Sequence, residues 1–361
     1  MRKSEMNQHN GRLVRPLGLV GLVSIMLLMA AGTFSFTSSN ACHRSLYGSL
    51  SRHELTKTTL VLAVAESDTD GDNSGSSAAA FASKGAVGLY EQYADYAMEK
   101  LLSTGWLKKD QSVPENLVAN EAPARGAKTE SIVRITTNAL VPTISKSLIR
   151  YARITLLETI PLESDGSISS EGIQVLNFVV LPNDQTTLPV LGIDLVSLPG
   201  SKHLLLLDAQ PMAQPNPHEG QWESWFNEYV RDENNETEES LKYAWGGDFP
   251  EAVQKYVSKY ALWTRLQNLA DSVGDEGTAT LSPAVDAIQG SLFDAFRAHL
   301  DTYLELLGNY ANDLEAVEGE NHQPSYLDYR RNNDPAKPML NSLYGADWTQ
   351  SLLDNVLFPR D

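Results

Sequence analysis

Carboxylate and amide side chains that could move protons interrupt strongly apolar stretches of this 361-residue chain. Asp194 lies within LPVLGIDLVSLP, and strand alternation places its side chain on the same face as Gly192 and Val196. Glycine there leaves room beside the carboxylate. Because burial raises the pKa of a carboxyl group, Asp194 is a candidate proton donor. A structural aspartate bonded to a turn amide explains the sequence equally well.

Two further polar residues have both a structural and a chemical interpretation. Asn177, in VLNFVV, shares a face with Val175 and Val179, and a satisfied core amide is the simplest explanation for it. Asp334 precedes Pro335, a pair typical of a helix that begins with aspartate as N-cap and proline in the first turn. A capping carboxylate can also project into a pocket, so the two roles are compatible.

A few basic or titratable residues could bind an anionic group. Lys146, Arg150 and Arg153 form a small basic island, SKSLIRYAR, in an otherwise acidic region, although solvated surface charge is the alternative. Arg265, in ALWTRL, could pair with a carboxylate. His203 begins an apolar strand, where a lone histidine is more often structural than catalytic.

Charge and cysteine content exclude several classes of function. The net charge is −18, and residues 1–60 hold seven Lys and Arg against two Asp and Glu, so the remainder carries −23. A body this acidic argues against a nucleic-acid partner. Cys42 is the single cysteine. If it lies in a removed segment, the mature protein has no disulfide, no iron–sulfur ligation, no cysteine zinc site and no cysteine nucleophile.

The N-terminal segment has the composition of a targeting sequence. Residues 1–16 are basic, and Leu17–Ala31 is an apolar run shorter than the about 20 residues that span a bilayer. Phe34–Thr59 is basic and rich in Ser and Thr, as transit peptides are. We therefore expect residues 1–84 to be a bipartite presequence and linker that direct the protein to the stroma of a plastid of secondary endosymbiotic origin. A signal anchor with a disordered stalk is the alternative.

The pattern of residues 85–361 predicts one α+β domain. The spacing of Leu89, Tyr93, Ala97 and Leu101 predicts a helix that ends near Gly105. Strands follow, and their short connections indicate a mainly antiparallel sheet; they are expected at Ser131–Thr137, Leu148–Leu157, Ile173–Leu181, Gly192–Ser197 and His203–Ala209. Helices then dominate and should cover the sheet; they are expected at Gln221–Arg231, Pro250–Tyr260, Pro283–Tyr310 and Asp347–Leu357.

Sequence motifs for common cofactors and nucleophiles are missing. The chain has no G-x-G-x-x-G after a strand, no P-loop, no G-x-S-x-G and no H-E-x-x-H. Carboxylates, amides and aromatic side chains therefore remain as the chemical groups. Several aromatic residues could wall a flat apolar ligand; they are Trp222, Trp225, Tyr243, Trp245, Tyr256, Tyr260 and Trp263.

Longer strings resemble one enzyme family. VLNFV, LPVLGIDLVSLPG, LLLLDAQP, WGGDFPEAVQKYVSKYALWTRL, DTYLEL, YLDYRRNNDPAKPML and DWTQSLLDNVLF occur in the order found in the ferredoxin-dependent bilin reductases. The resemblance covers about residues 130–361. It implies a three-layer α/β/α sandwich with a mainly antiparallel central sheet, and a bilin held between the sheet and the C-terminal helices. It also implies no bound metal or flavin, because reduced ferredoxin delivers single electrons to the tetrapyrrole.

The resemblance implies roles for individual residues. Asp194 matches the central strand aspartate that protonates the bilin, and Asp334 matches a loop aspartate linked to A-ring reduction. Asn177 stands where phycoerythrobilin-forming members have Asn and the phycocyanobilin-forming branch has His. Thr155 occupies the position of a further catalytic acid in that second branch, which argues against phycocyanobilin formation. No family motif anchors Arg265, which is a plausible partner for a propionate, and His203 and Arg153 are further candidates for substrate binding.

The resulting expectation is a monomeric plastid oxidoreductase that takes electrons from ferredoxin. It reduces 15,16-dihydrobiliverdin to phycoerythrobilin by two electrons, through a radical, with protons from Asp194 and Asp334. Reduction of biliverdin to 15,16-dihydrobiliverdin is the alternative within the family, and a non-catalytic bilin carrier is the alternative outside it. The mature chain should not insert stably into a membrane. Lys146, Arg150 and Arg153 are the expected docking patch for ferredoxin.

Overall fold

The computed structural model describes residues 88–123, 131–145, 147–161, 172–199, 202–232, 241–267, 283–310 and 321–359. The expected presequence, residues 1–84, and Lys146 lie outside these ranges. Targeting, plastid localisation and the domain boundary at residue 85 therefore stay predictions.

An eight-stranded sheet forms the middle of the molecule. Its strand order is β1-β3-β4-β5-β6-β7-β8, with β2 also pairing with β3, and every pair among the described strands is antiparallel. The strands are β1 (Leu107–Lys109), β2 (Ala119–Pro123), β3 (Ser131–Pro142), β4 (Ile149–Pro161), β5 (Gln174–Pro182), β6 (Val190–Leu198), β7 (Lys202–Gln210) and β8 (Leu262–Gln267).

Helices lie on both sides of this sheet. They are α1 (Glu91–Ser103), α2 (Glu115–Val118), α3 (Glu223–Tyr229), α4 (Glu251–Gln254), α5 (Pro283–Gln289), α6 (Ser291–Tyr310), α7 (Gln323–Asn333), α8 (Lys337–Tyr344) and α9 (Ala346–Leu352). A 3₁₀ turn, Glu219–Trp222, precedes α3, and a π-helical turn, Leu353–Leu357, continues α9.

One core packs between the sheet and the helices α1, α3, α5 and α6. Strand alternation turns side chains such as Phe178, Ile193 and Leu205 to this face, where all three are buried. Phe296 from α6 packs on Phe178 with ring centroids 6.3 Å apart, and on Tyr93 from α1 at 4.9 Å. Each such buried side chain stabilises the fold by about 1.5–3 kcal/mol.

A second core packs on the opposite face of the sheet under the C-terminal helices. Leu157 and Val179 belong to it together with Met339, Leu343 and Leu352. The two cores confirm the three-layer α/β/α sandwich with an antiparallel centre. No helix in the described part of the chain is long and apolar enough to cross a membrane.

Several element boundaries differ from the sequence-based prediction. The region predicted as a helix at Pro250–Tyr260 has one helical turn, and the helix predicted at Pro283–Tyr310 is divided at Gly290 into α5 and α6. Strands β1, β2 and β8 were not specifically predicted. They are short or polar, and their pairing with β3 and β7, rather than local periodicity, holds them in place.

Candidate active site

A row of directly opposed residues crosses the central strands on the face that carries the second core. It runs Thr155, Asn177, Asp194, Leu206 and Trp263, on β4 through β8. Their side chains share one face because each residue is the cross-strand partner of the next. Asn177 and Asp194 therefore interrupt the same apolar face of the sheet.

The C-terminal helices place an ion pair above this row. Arg330, on α7, lies four residues before Asp334, and its Nη2 is 3.2 Å from Asp334 Oδ2. Both side chains are buried. The Asp334 carboxylate also accepts a hydrogen bond from the backbone N–H of Ala336 at 2.8 Å. These contacts fix the carboxylate on the turn between α7 and α8.

The predicted helix start at Asp334 is wrong by two residues. Helix α8 begins at Lys337 with Ala336 as its N-cap, and Asp334 is the C-cap of α7. The reason is a turn in which the Lys337 N–H donates to the Asp334 backbone oxygen at 3.1 Å. As a capping residue would, the Asp334 side chain accepts a hydrogen bond from the backbone N–H of Ala336. Asp334 also lines the space between the sheet and the C-terminal helices.

The row and the ion pair line a single cleft. It holds about 770 Å³, counted with its opening to solvent. Thr155, Asn177, Asp194, Arg330 and Asp334 supply its polar groups. Most other lining side chains are apolar and include Ile135, Leu157, Val196, Met339, Leu340 and Leu352. Such walls suit a large apolar ligand that presents few polar atoms.

A hydrogen-bond chain leads along the floor of the cleft. Arg153 Nη1 donates to Asn177 Oδ1, and Asn177 Nδ2 donates to Asp194 Oδ1. Arginine can only donate, so Arg153 sets the orientation of the Asn177 amide and turns its NH₂ group towards the carboxylate. The orientation of Asn177 is thus determined by two neighbours and does not depend on a ligand.

The pKa of Asp194 is raised above the ordinary value of an aspartate, which favours the protonated form. Burial raises its pKa, and the nearby Asp334 adds to this, whereas Arg330, the Asn177 hydrogen bond and Arg153 favour the ionised form. The net result is a raised pKa. The carboxyl group lies at the floor of the cleft, so protein surrounds it although the residue keeps partial exposure through the opening.

Two arginines of the site pack on one aromatic ring. The guanidinium carbons of Arg153 and Arg330 each lie 5.3 Å from the centroid of Phe358. Arg153 Nε also donates to the backbone oxygen of Leu357 at 2.8 Å. The π-helical turn after α9 therefore holds both arginines in position, and turns of this type are frequent at functional sites.

Arg265 lies on the cleft side of the sheet, as its predicted binding role requires. It follows Trp263 by two residues on β8, and its guanidinium carbon is 5.7 Å from the Trp263 ring centroid. Its side chain is half-buried, and its Nε has no hydrogen-bond partner among the described residues. Arg265 could therefore reach an anionic group at the end of the cleft.

The structure places His203, which was predicted to bind substrate, on the face of the sheet opposite to the cleft. His203 pairs with Ser197, and strand alternation turns both towards the first core, opposite to Asp194. Its Nδ1 is 2.7 Å from Ser197 Oγ, which in turn is 2.8 Å from the Tyr90 hydroxyl. Burial lowers the pKa of His203 to about 4. His203 is a structural residue that links β6 and β7 to the N-terminal helix layer.

The structure also corrects the expected positions of Arg153 and the docking patch. Arg153 is 0 % exposed, so it acts beneath the cleft floor through Asn177 and cannot belong to a surface patch. The reason is that its strand position points to the second core. Arg150 is half-buried and donates from Nε to Gln323 Oε1 at 2.9 Å. With Lys146 outside the described residues, an exposed three-residue patch is not supported.

The space expected beside Asp194 is occupied by another side chain. A Cβ at Gly192 would lie 2.9 Å from Gln210 Cδ, so the glycine makes room for Gln210 and not for a ligand.

Asp208, opposite Gly192, is fully buried and accepts a hydrogen bond from Ser258 Oγ at 2.5 Å. Burial nevertheless raises the pKa of Asp208 to about 7.

Two cleft residues were missed or undervalued at the sequence level. Arg330 was missed because it lies in a polar helix, where YLDYRRNND suggests a solvated face. Its i,i+4 spacing to Asp334 was the available signal for an ion pair between them. Trp263 was one of seven aromatic candidates, and only the register of β7 and β8 places it next to Leu206 at the cleft.

Comparison with known proteins agrees with this architecture. A family model described as ferredoxin-dependent bilin reductase matches residues 167–359. A phycoerythrobilin:ferredoxin oxidoreductase of Prochlorococcus marinus subsp. pastoris is 37% identical over 193 residues, which cover 53% of this chain and 68% of the relative. The protein of the same name from Nostoc punctiforme is 30% identical over 279 residues, covering 75% and 93%.

A solved structure provides a match to the fold. Phytochromobilin synthase from tomato, in complex with biliverdin, aligns with a TM-score of 0.50 and 18% identity, covering 74% of this chain and 82% of that one. At this identity the likeness concerns the fold. The family model and the two relatives carry the assignment: the chain belongs to the ferredoxin-dependent bilin reductases, which are oxidoreductases with ferredoxin as electron donor.

Proposed function

We propose that this protein reduces 15,16-dihydrobiliverdin to phycoerythrobilin in a plastid, as a monomer. The observation that carries the proposal is the pair of carboxylates, Asp194 and Asp334, that line one apolar cleft from opposite layers. The names of the relatives support the product. The bilin would lie between the sheet and the helices α7–α9, where apolar walls suit a planar tetrapyrrole.

The reaction adds two electrons and two protons to the bilin. Two reduced ferredoxins supply one electron each and are oxidised, and the bilin passes through a radical between the two transfers. Asp194, whose pKa is raised by burial, is the group on the sheet that can hold a proton and deliver it to the bilin. Asp334, held by Arg330 and the Ala336 amide, is the second donor in this scheme. Neither step requires a bound flavin or metal, because the conjugated substrate carries the unpaired electron.

Asn177 contributes a neutral hydrogen bond beside Asp194. An amide does not ionise near neutral pH, so Asn177 orients the carboxyl group and the pyrrole region by hydrogen bonds without acting as a proton donor. Thr155, next to it on β4, is likewise non-titrating and lines the cleft. On the floor of the cleft, Asp194 is therefore the side chain that can donate a proton, and Asp334 is the donor from the helix side.

The test is an anaerobic ferredoxin-coupled assay of two variants. Asp194→Asn and Asp334→Asn should each stall turnover, while absorbance titration shows that 15,16-dihydrobiliverdin still binds. Asp328→Asn is the matched control. Asp328 lies on α7, the helix that precedes Asp334, and its exposed side chain pairs with Arg331 outside the cleft. Full activity of both cleft variants would overturn the assignment.

Two further measurements refine the substrate. Feeding biliverdin and 15,16-dihydrobiliverdin separately, and recording the product absorbance, distinguishes the proposed reaction from the preceding step of the same family. Arg265→Gln should weaken bilin binding if Arg265 contacts a propionate, and Arg297→Gln is the control because Arg297 is surface-exposed and pairs with Asp294. Equal affinities of these two variants would remove Arg265 from the binding site.

A further inference from the structure

An exposed tryptophan lies at one end of a series of aromatic rings that reaches the cleft. Trp245 is 45 % exposed, one of three exposed large apolar side chains in the described part of the chain. Its ring centroid is 5.9 Å from that of Phe249, which is 5.4 Å from that of Trp263. Phe249 and Trp263 are buried, and Trp263 lines the cleft beside Leu206.

Close backbone packing fixes this series in place. Trp245 forms a β-bridge with Thr264, and the Gly246 N–H donates to the Trp263 backbone oxygen at 3.0 Å. The Trp263 Nε1–H donates to the Gly247 backbone oxygen at 2.9 Å. A Cβ at Gly246 would lie only 2.4 Å from the Trp263 indole, so the chain approaches this ring as only glycine permits. The backbone that carries Trp245 is therefore fixed against β8, and this contact holds the exposed indole in place.

The sequence segment that carries Trp245 is less acidic than the rest of the protein. Lys242, Asp248, Glu251 and Lys255 are the charged residues between positions 241 and 255, and they balance, whereas the whole chain carries −18. An acidic electron donor is repelled by most of this surface. A locally neutral region with an exposed tryptophan is the type of surface on which a partner can dock through an aromatic anchor.

We propose that Trp245 is the contact on which the reduced iron–sulfur donor docks, and that electrons pass to the cleft along Trp245, Phe249 and Trp263. The inference rests on the proposed function, in that the acceptor is a bilin. In each encounter one electron leaves the donor's cluster, which is oxidised, and one reaches the bilin, which is reduced. The rings mediate the transfer and undergo no net change. Two encounters supply the two electrons of the reaction.

The docking part is tested with Trp245→Ala in the full chain. Calorimetric titration with reduced ferredoxin should show affinity lowered about thirtyfold or more, the effect that defines an interface hot spot. Bilin affinity, followed by absorbance, and bilin reduction by dithionite should be unchanged. Ile144→Ala is the matched control, because Ile144 is 63 % exposed on a different turn. Ferredoxin affinity equal in wild type and both variants would overturn the proposal.

The path is tested with Phe249→Leu, which keeps an apolar side chain but removes the middle ring. The expected result is a lower kcat with ferredoxin at unchanged ferredoxin affinity, and an unchanged rate with dithionite. A wild-type kcat would overturn the path. A wrong substrate assignment can be distinguished from a wrong docking site. If the wild type reduces only biliverdin, the same variants are compared on biliverdin. Calorimetry measures ferredoxin docking without any turnover.

Discussion

Asp194 and Asp334 line the same cleft from opposite layers of the sandwich, and Arg330 acts on both. Arg330 pairs directly with Asp334 and lowers the pKa of Asp194 through its charge. One buried cation thus serves a carboxylate on the sheet and a carboxylate on a turn between helices. The relative position of the two acids therefore depends on how the C-terminal helices pack on the sheet.

Removal of this cation should be costly. Arg330→Met leaves Asp334 buried without its ion-pair partner, so we expect the free energy of unfolding to fall by about 3–5 kcal/mol. Urea unfolding followed by circular dichroism measures the change. Arg297→Met removes an exposed cation from the Asp294 pair and should change stability by less than about 1 kcal/mol. Similar losses in both variants would contradict a special role for the buried pair.

The hydrogen bond from Asn177 should be visible in the pH dependence of the rate. This bond lowers the pKa of Asp194, so Asn177→Ala should raise it further. The protonated form would then persist to higher pH, and the alkaline limb of the kcat profile should move upwards. Single-turnover rates measured between pH 6 and 9 provide the comparison. An alkaline limb that stays in place, or moves downwards, argues that Asp194 is not the group that limits this step.

Asp208 should make the fold less stable as pH rises. Its pKa in the fold is about 7, above the ordinary value of 3.8, so between these pH values the folded state binds a proton that the unfolded chain releases. Stability therefore falls from pH 4 to pH 7, by roughly 4 kcal/mol for a shift of this size. Asp208→Asn should flatten this slope. Urea unfolding at pH 5 and pH 7.5 tests it, and an unchanged slope would contradict the buried, protonated carboxyl group.

His203 should produce the opposite slope. Its pKa is lowered to about 4, so between pH 6.5 and pH 4 the unfolded chain binds protons that the folded protein does not, and stability falls as pH falls. His203→Gln should therefore destabilise the protein less at pH 5 than at pH 7.5. Bilin affinity should match the wild type, since His203 faces the other core. A weaker bilin complex would restore His203 to the binding site.

Sequence patterns captured the parts of the fold that depend on local regularity. The five strands β3–β7 were predicted because long apolar runs with turn residues between them have few other solutions. Alternation also placed Asp194 on the face of Gly192 and Val196, and Asn177 on that of Val175 and Val179, but only the register of β5 and β6 shows that these faces are the same. Other features depend on strand register and on which helices cover each face of the sheet. These features are the face on which His203 lies, the side chain that packs on Gly192, and the burial of Arg153. Local periodicity does not contain that information.

The row across the central strands has a consequence for how the chain finds its register. A slip of one residue on β6 would turn Asp194 into the first core, between Phe178 and Leu207, and expose the isoleucine and leucine beside it to the cleft. A lone carboxyl group among aliphatic and aromatic side chains costs several kcal/mol. Asp194, which we assign to proton transfer, thus also penalises misfolded pairings of the sheet. In this protein, the residues expected to act on the substrate help to select the native alignment of the strands that carry them.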